Sequence, residues 1–172
     1  VTAVGNAVIG GDLYTNASAP MTFQKNIVIQ GGLSSINGPV TVNGNMEVQS
    51  NPDTAGSWNS TAPLVVGGQY WEKTMCHEFG AKMTITGNAF FDNCLIINAS
   101  GITHSLSNVY IARAGGSSNS EFKAGTFNIS GNLGSWATSG KFLTQSSATT
   151  NITGNLLLKV PFDIGGATNV TG

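Results

Sequence analysis

Apolar and polar residues alternate along this chain in short stretches, and most stretches end at a glycine. Val40-Thr41-Val42, Met83-Thr84-Ile85 and Phe127-Asn128-Ile129 each put two apolar side chains on one side of an extended backbone and a polar one on the other. Alternation of this period, rich in β-branched residues, predicts strands. Apolar residues do not recur at helical spacing between capping residues, so almost no helix is expected.

The glycines mark a repeat. A β-branched apolar residue, a spacer, Gly, then Gly, Asn or Asp recurs as Ile9-Gly10-Gly11-Asp12, Ile29-Gln30-Gly31-Gly32 and Val42-Asn43-Gly44-Asn45. Later copies are Ile85-Thr86-Gly87-Asn88, Ile129-Ser130-Gly131-Asn132 and Ile152-Thr153-Gly154-Asn155. Gly and Asn tolerate positive φ, which predicts that the chain turns a corner at each copy. Gly11 to Gly31, Gly68 to Gly87 and Gly131 to Gly154 each span roughly 20 residues, the interval expected of a repeat architecture. A coil of about that length is one turn of a parallel β-helix. The expected fold is all-β: a right-handed parallel β-helix of about eight turns, forming one domain over residues 1–172. The rival is a sandwich of short hairpins. Gly44 follows Gly31 too soon for a full turn, so some corners must carry the motif on a second face.

Three stretches break the pattern and are expected to leave the coil as loops: Gln49 to Ala62, Arg113 to Gly125 and Gly134 to Thr150. Cys76 and Cys94 are separated by close to one turn. Stacked strands about 4.8 Å apart suit the Cα separation of about 4.4–6.8 Å that a disulfide needs. A bridge between successive turns is the expectation, and two buried free thiols the alternative.

Charge narrows the function. Only 9% of residues are charged, against about 25% in an ordinary domain, and the net charge is −1. One arginine, Arg113, and six lysines offer no broad basic surface for nucleic acid. No apolar run is long enough to span a membrane. Few charges, abundant Asn, Ser and Thr, and a cysteine pair point to export. Both ends of the chain fall on the repeat without a polar cap, so flanking sequence or stacking on other copies is expected there.

Candidate chemistry is sparse. His77 beside Glu72 and Glu78 could be a general base, but neighbours in a strand point to opposite faces, and a solvated loop or edge fits better. Cys76, His77, Cys94 and His104 lack metal-ligand spacing, so no metal and no cofactor is expected. Parallel β-helices also carry polysaccharide-cleaving enzymes, which need clustered carboxylates. The eight acids here are scattered, although Glu72 and Asp92 are one turn apart. A Thr-x-Thr phrase, as an ice-binding face would repeat, occurs once, at Thr84-Ile85-Thr86. Aromatics are the stronger lead. Trp58 and Trp136 fall in expected loops and Tyr70-Trp71 leave the strand pattern, making these four the candidate binding residues for sugar rings or a protein partner.

The phrase Val40-Thr41-Val42-Asn43-Gly44-Asn45-Met46-Glu47-Val48, with Ile152-Thr153-Gly154-Asn155-Leu156-Leu157-Leu158, resembles the bactofilin-like, polymer-forming β-solenoid repeats. Similar repeats are carried by type IV pilin-like and minor pilin surface proteins of bacteria. The resemblance implies a structural or adhesive module, without catalysis, at the bacterial cell surface or a pilus tip. Its implied partners are other copies, pilus subunits or a surface glycan. A binding head for extracellular DNA or glycan, and a polysaccharide-active enzyme, are the alternatives.

Overall fold

The computed structural model describes residues 1–16, 19–31, 33–49, 58–73, 77–92, 94–112, 119–136 and 140–172, with side chains described for all of these except 33–35, 58–60 and 77. Every pairing between its strands is parallel, and among the described residues there is no helix. The chain winds as a β-solenoid with three faces.

The first face stacks Thr2–Ala3, Met21–Phe23, Val40–Val42, Leu64–Val66 and Met83–Ile85. It continues with the C-terminal parts of Leu95–Leu106, Ser120–Ile129 and Phe142–Ile152, and ends at Ala167–Val170. The second face stacks Ala7–Ile9, Ile27–Ile29, Met46–Val48, Tyr70–Glu72, Ala89–Phe91, Val109–Ile111, Leu133–Ser135 and Leu156–Leu158. The third begins with Leu13–Thr15 and Leu33–Ile36, passes through Trp58–Ser60 and His77–Phe79 to the N-terminal parts of the three long strands, and ends at Phe162–Ile164. The second face has eight strands and the first nine, so the solenoid makes between seven and eight turns, close to the count of about eight that the glycine spacing predicts. Coils are unequal. They are tightest where His77 lies opposite Leu95 and where Thr149 lies opposite Ala167, and widest where Asn98 lies opposite Ala124.

Inward residues from the three faces fill the bore. Ile29, Val42, Val66, Tyr70, Phe79, Leu95, Phe122 and Phe142 are all buried. Removing a large apolar side chain from water is worth about 1.5–3 kcal/mol, so burial along the bore drives coiling. No coil could bury its apolar edge alone.

The corner between the first and second faces explains the motif. Gly44, Gly68, Gly87, Gly131 and Gly154 all lie there, whereas Gly11 and Gly31 follow the second face. The motif does therefore occupy two different corners, which accounts for the short step from Gly31 to Gly44. Positive φ is not the reason for glycine. Among the described residues positive φ occurs only at Gly101, Gly125 and Gly140, none in this corner. The reason is an asparagine ladder stacked from coil to coil. The backbone N–H of Asn45 donates to Asn26 Oδ1 at 2.8 Å, that of Gln69 to Asn45 Oδ1 at 2.9 Å, and those of Asn132 and Asn155 to Asn108 and Asn132 Oδ1 at 2.8 Å each. At Gly44, Gly68, Gly131 and Gly154 such an amide lies over the glycine of the next coil. A Cβ at Gly154 would sit 2.6 Å from Asn132 Oδ1, and one at Gly44 2.5 Å from Asn26 Oδ1. Glycine leaves room for the side chain that satisfies the corner's backbone donors.

The expected loops are shorter than their composition implies. Trp58–Ser60, Ser120–Ile129 and Phe142–Ile152 are strands, although each lies wholly or partly in a predicted loop. Pairing with a neighbouring coil overrides local Ser, Thr and Gly content. The cores of the first two expected loops, residues 50–57 and 113–118, lie outside the described residues.

Candidate functional site

The three faces present three chemistries to solvent. Outward positions on the first face carry hydroxyls and amides, including Thr22, Thr41, Thr84 and Ser105. Asn151 Nδ2 donates there to Asn128 Oδ1 at 2.9 Å, and Asn169 Nδ2 to Asn151 Oδ1 at 2.9 Å. The third face carries ion pairs, Lys123 with Glu78 at 3.5 Å and Lys141 with Asp163 at 2.8 Å, and the Gln145 amide bonds to Glu121. The second face is the outlier.

Its central position points outward in every coil, and from the fourth coil onward the occupants are Trp71, Phe90, Tyr110, Gly134 and Leu157. Strand stacking sets successive side chains about 4.8 Å apart, which brings the rings into contact. Trp71 and Phe90 centroids are 6.2 Å apart and tilted at 55°, and Phe90 stacks on Tyr110 at 5.3 Å. Gly134 interrupts the row only in sequence. Trp136 folds back over it, so that a Cβ at Gly134 would sit 2.6 Å from the Trp136 ring, whose centroid is 5.4 Å from Tyr110. The result is an unbroken aromatic strip closed by Leu157, 53% exposed, with Trp71 and Trp136 at 43% and 40%.

Polar groups fix the upper end of the strip. Lys73 Nζ lies 4.2 Å from the centre of the Trp71 ring and pairs with Glu47 at 2.8 Å. Its hydrogen bond, together with one from the Gln49 amide, holds the Glu47 carboxyl below its usual pKa. Trp71 Nε1 donates to Asp92 Oδ1 at 3.1 Å. Shallow grooves of about 240 Å³ flank the strip, one lined by Asn45, Glu47, Gln69 and Trp71, the other by Trp136, Leu157 and Lys159.

Comparison with models of known protein families, with curated proteins and with solved structures gives no match. The site therefore has to be read from its own residues.

Of the four candidate aromatics, Trp71 and Trp136 come together on this strip. Tyr70 does not: its ring is fully buried, and its hydroxyl donates to Glu72 Oε2 at 2.7 Å inside the bore. Burial, with the Glu72 carboxylate beside it, raises the Tyr70 pKa well above the phenol value. The expectation of an exposed Tyr70 is thereby corrected. Alternation continues through Tyr70-Trp71-Glu72, and the middle residue is the one that faces out. The Trp58 side chain lies outside the described ones. Sequence reasoning misses Phe90 and Tyr110 because Ala89-Phe90-Phe91 and Val109-Tyr110-Ile111 are apolar on both sides, which hides their alternation. Their places one coil and two coils after Trp71 are the signal that could reveal them.

The polar candidates separate. Glu72 is buried against Tyr70 while Asp92 holds the Trp71 indole, so the two carboxylates one turn apart serve different partners. Glu72 is thus a bore residue and not part of a solvated loop. Glu78 accepts from Asn98 and Lys123 on the third face. His104 is fully buried, stacked on Phe127 at 4.9 Å, and its Nδ1 accepts from the Met83 N–H at 3.2 Å.

Proposed function

We propose that the chain is a non-catalytic structural and adhesive module of an exported bacterial surface or pilus-tip protein, built from bactofilin-like repeats. The observation that carries this reading is the aromatic strip, an exposed ladder of rings on a stiff solenoid whose other two faces are mostly polar, with isolated outward exceptions such as Val65 and Tyr14. Exposed aromatics held in a row favour attachment, since they give large contact area at small entropic cost. A binding head for a neutral glycan is the second reading, favoured by the amides along the strip's corner. DNA uptake is weakly supported, because Lys73 at the second face and Lys123 and Lys141 on the third are each paired with an acid. A polysaccharide-cleaving activity is weakly supported too, since Glu72 and Asp92 do not face one another across a cleft.

Beads coated with the chain are expected to be retained under flow on immobilised bacterial cells. Trp71→Ala and Trp136→Ala should each lower retention several-fold without altering the far-UV circular dichroism. Retention that is absent, or unchanged in both variants, overturns the reading.

A Cys76–Cys94 disulfide belongs to the same proposal. His77 pairs with Leu95, and the residues preceding them in sequence are Cys76 and Cys94. Cys94 is buried at 2% exposure. Thiol labelling of the unfolded chain, read by mass spectrometry, is expected to find two thiols only after reduction, and labelling without reductant would disprove the bridge.

A further inference from the structure

We infer that the strip binds a neutral, linear, β-linked glycan laid along the solenoid axis, an inference that rests on the adhesive reading above. Four properties select this occupant.

The first is shape. Trp71, Phe90, Tyr110, Gly134 and Leu157 occupy successive steps of one sheet, about 4.8 Å apart, and the Trp136 ring folded over Gly134 fills the fourth rung of the row. An extended β-linked pyranose chain repeats at close to the same interval, so each sugar can meet one rung. A chain of α-1,4-linked glucose coils and leaves the row.

The second is width. From Trp71 to Leu157 the row is four steps, or about 19 Å, and one side chain wide, roughly 200 Å² in all. A stable protein interface needs about 800 Å² from each partner. The strip is too narrow for a second copy but wide enough for a polymer one ring across. The grooves at both ends, beside Trp71 and beside Leu157, leave a threaded chain room to continue.

The third is charge. Glu47 and Lys73 neutralise one another, and Asp92 is engaged by the Trp71 indole. Lys159 is the cation at the Leu157 end, so a polyanion finds a single positive charge to pair with there, while an uncharged ligand incurs little desolvation cost.

The fourth is the position of the rings. Trp71 is tilted at 55° to Phe90 and Trp136 at 37° to Tyr110, so both indoles splay from the central stack. Both keep about two-fifths of their surface in solvent for the C–H faces of a sugar. Beside them runs the corner row of Gln69, Asn88, Asn108, Asn132 and Asn155. Asn108 and Asn155 already donate along the row to Asn88 and Asn132, at 2.9 and 3.2 Å, which leaves the Gln69 and Asn132 side-chain NH₂ groups to meet sugar hydroxyls.

The test is titration with β-1,4-linked glucose and N-acetylglucosamine oligomers, dimer to hexamer, followed by tryptophan fluorescence. An α-1,4-linked glucose series and a DNA duplex serve as comparators. Affinity for at least one β-linked series is expected to rise with length up to about five sugars, one per rung, and then level off. Trp71→Ala and Trp136→Ala should each weaken binding about ten-fold, whereas Ser105→Ala, exposed on the first face, should leave it unchanged. The length dependence is read on the unaltered chain and does not depend on any variant folding. Failure of both β-linked series to bind, with cells still retained in the flow assay, overturns the glycan and spares the adhesive reading. Loss of cell retention as well overturns both. Equal affinity for the α-linked series, or salt-sensitive binding of the duplex in their place, also overturns the proposal.

Discussion

Replacing Phe122 by alanine is expected to cost about 3–5 kcal/mol, the range for a truncated buried aromatic. The side chain is fully buried, stacks on Phe127 at 4.1 Å and meets the edge of Phe142 at 5.1 Å. Alanine would leave a hole where the third and first faces converge, and the bore is too constrained by strand pairing above and below to collapse into it. The damage should be local. Each coil touches chiefly its neighbours, so stability is nearly a sum over adjacent coils. Amide hydrogen exchange should therefore show protection lost first across Leu95–Leu106, Ser120–Ile129 and Phe142–Ile152. Strands before residue 67 should retain theirs. A stability change below about 1 kcal/mol, or uniform loss of protection in all coils, would contradict this account of the core.

Acid should destabilise the fold through His104. Burial, with a smaller contribution from the Lys82 charge, lowers its pKa from 6.5 to about 4. The folded state prefers the neutral ring and the unfolded state does not. The associated stability is complete above pH 6.5, declines as the pH falls, and is gone below about pH 4. The loss comes to about 3 kcal/mol. Geometry gives the same sign: Nδ1 is occupied as an acceptor from the Met83 N–H, so protonation breaks that bond. Nε2 has no partner to receive an additional charge. Urea unfolding at pH 7, 6, 5 and 4 should show the decline in the unaltered chain. His104→Gln retains an acceptor for Met83 and should flatten it. An equal decline in both proteins would assign the acid sensitivity to the carboxylates.

Sequence alone makes the solenoid legible, because the corner repeats at coil length and alternation survives wherever one side of a strand is polar. Val40-Thr41-Val42 reads directly as inward, outward, inward. The reading fails where pairing with the neighbouring coil supplies the information. Ser120–Ile129 and Phe142–Ile152 contain residues that favour loops, and they are strands because each lies against a neighbour of similar length. The corner glycines are visible, yet their cause is not, since the asparagine above Gly44, Gly68, Gly131 or Gly154 belongs to the preceding coil. The candidate site is half legible for the same reason. Trp71 and Trp136 stand out by residue type. Their connection through Phe90, Tyr110 and the notch at Gly134 exists only once coils of unequal length are stacked in register.

The local character of the strand pairing has a consequence for how the molecule is made. Every strand pairing among the described residues joins one coil to the next, a sequence separation of roughly 20 residues. A coil emerging from a ribosome or a translocation channel can dock as soon as about one further coil has followed, with no need to wait for a distant segment. Where an asparagine covers a corner, it is already in place when the next glycine arrives, so each finished turn is a template for the next. Growth can then proceed in one direction, the order of synthesis becoming the order of assembly.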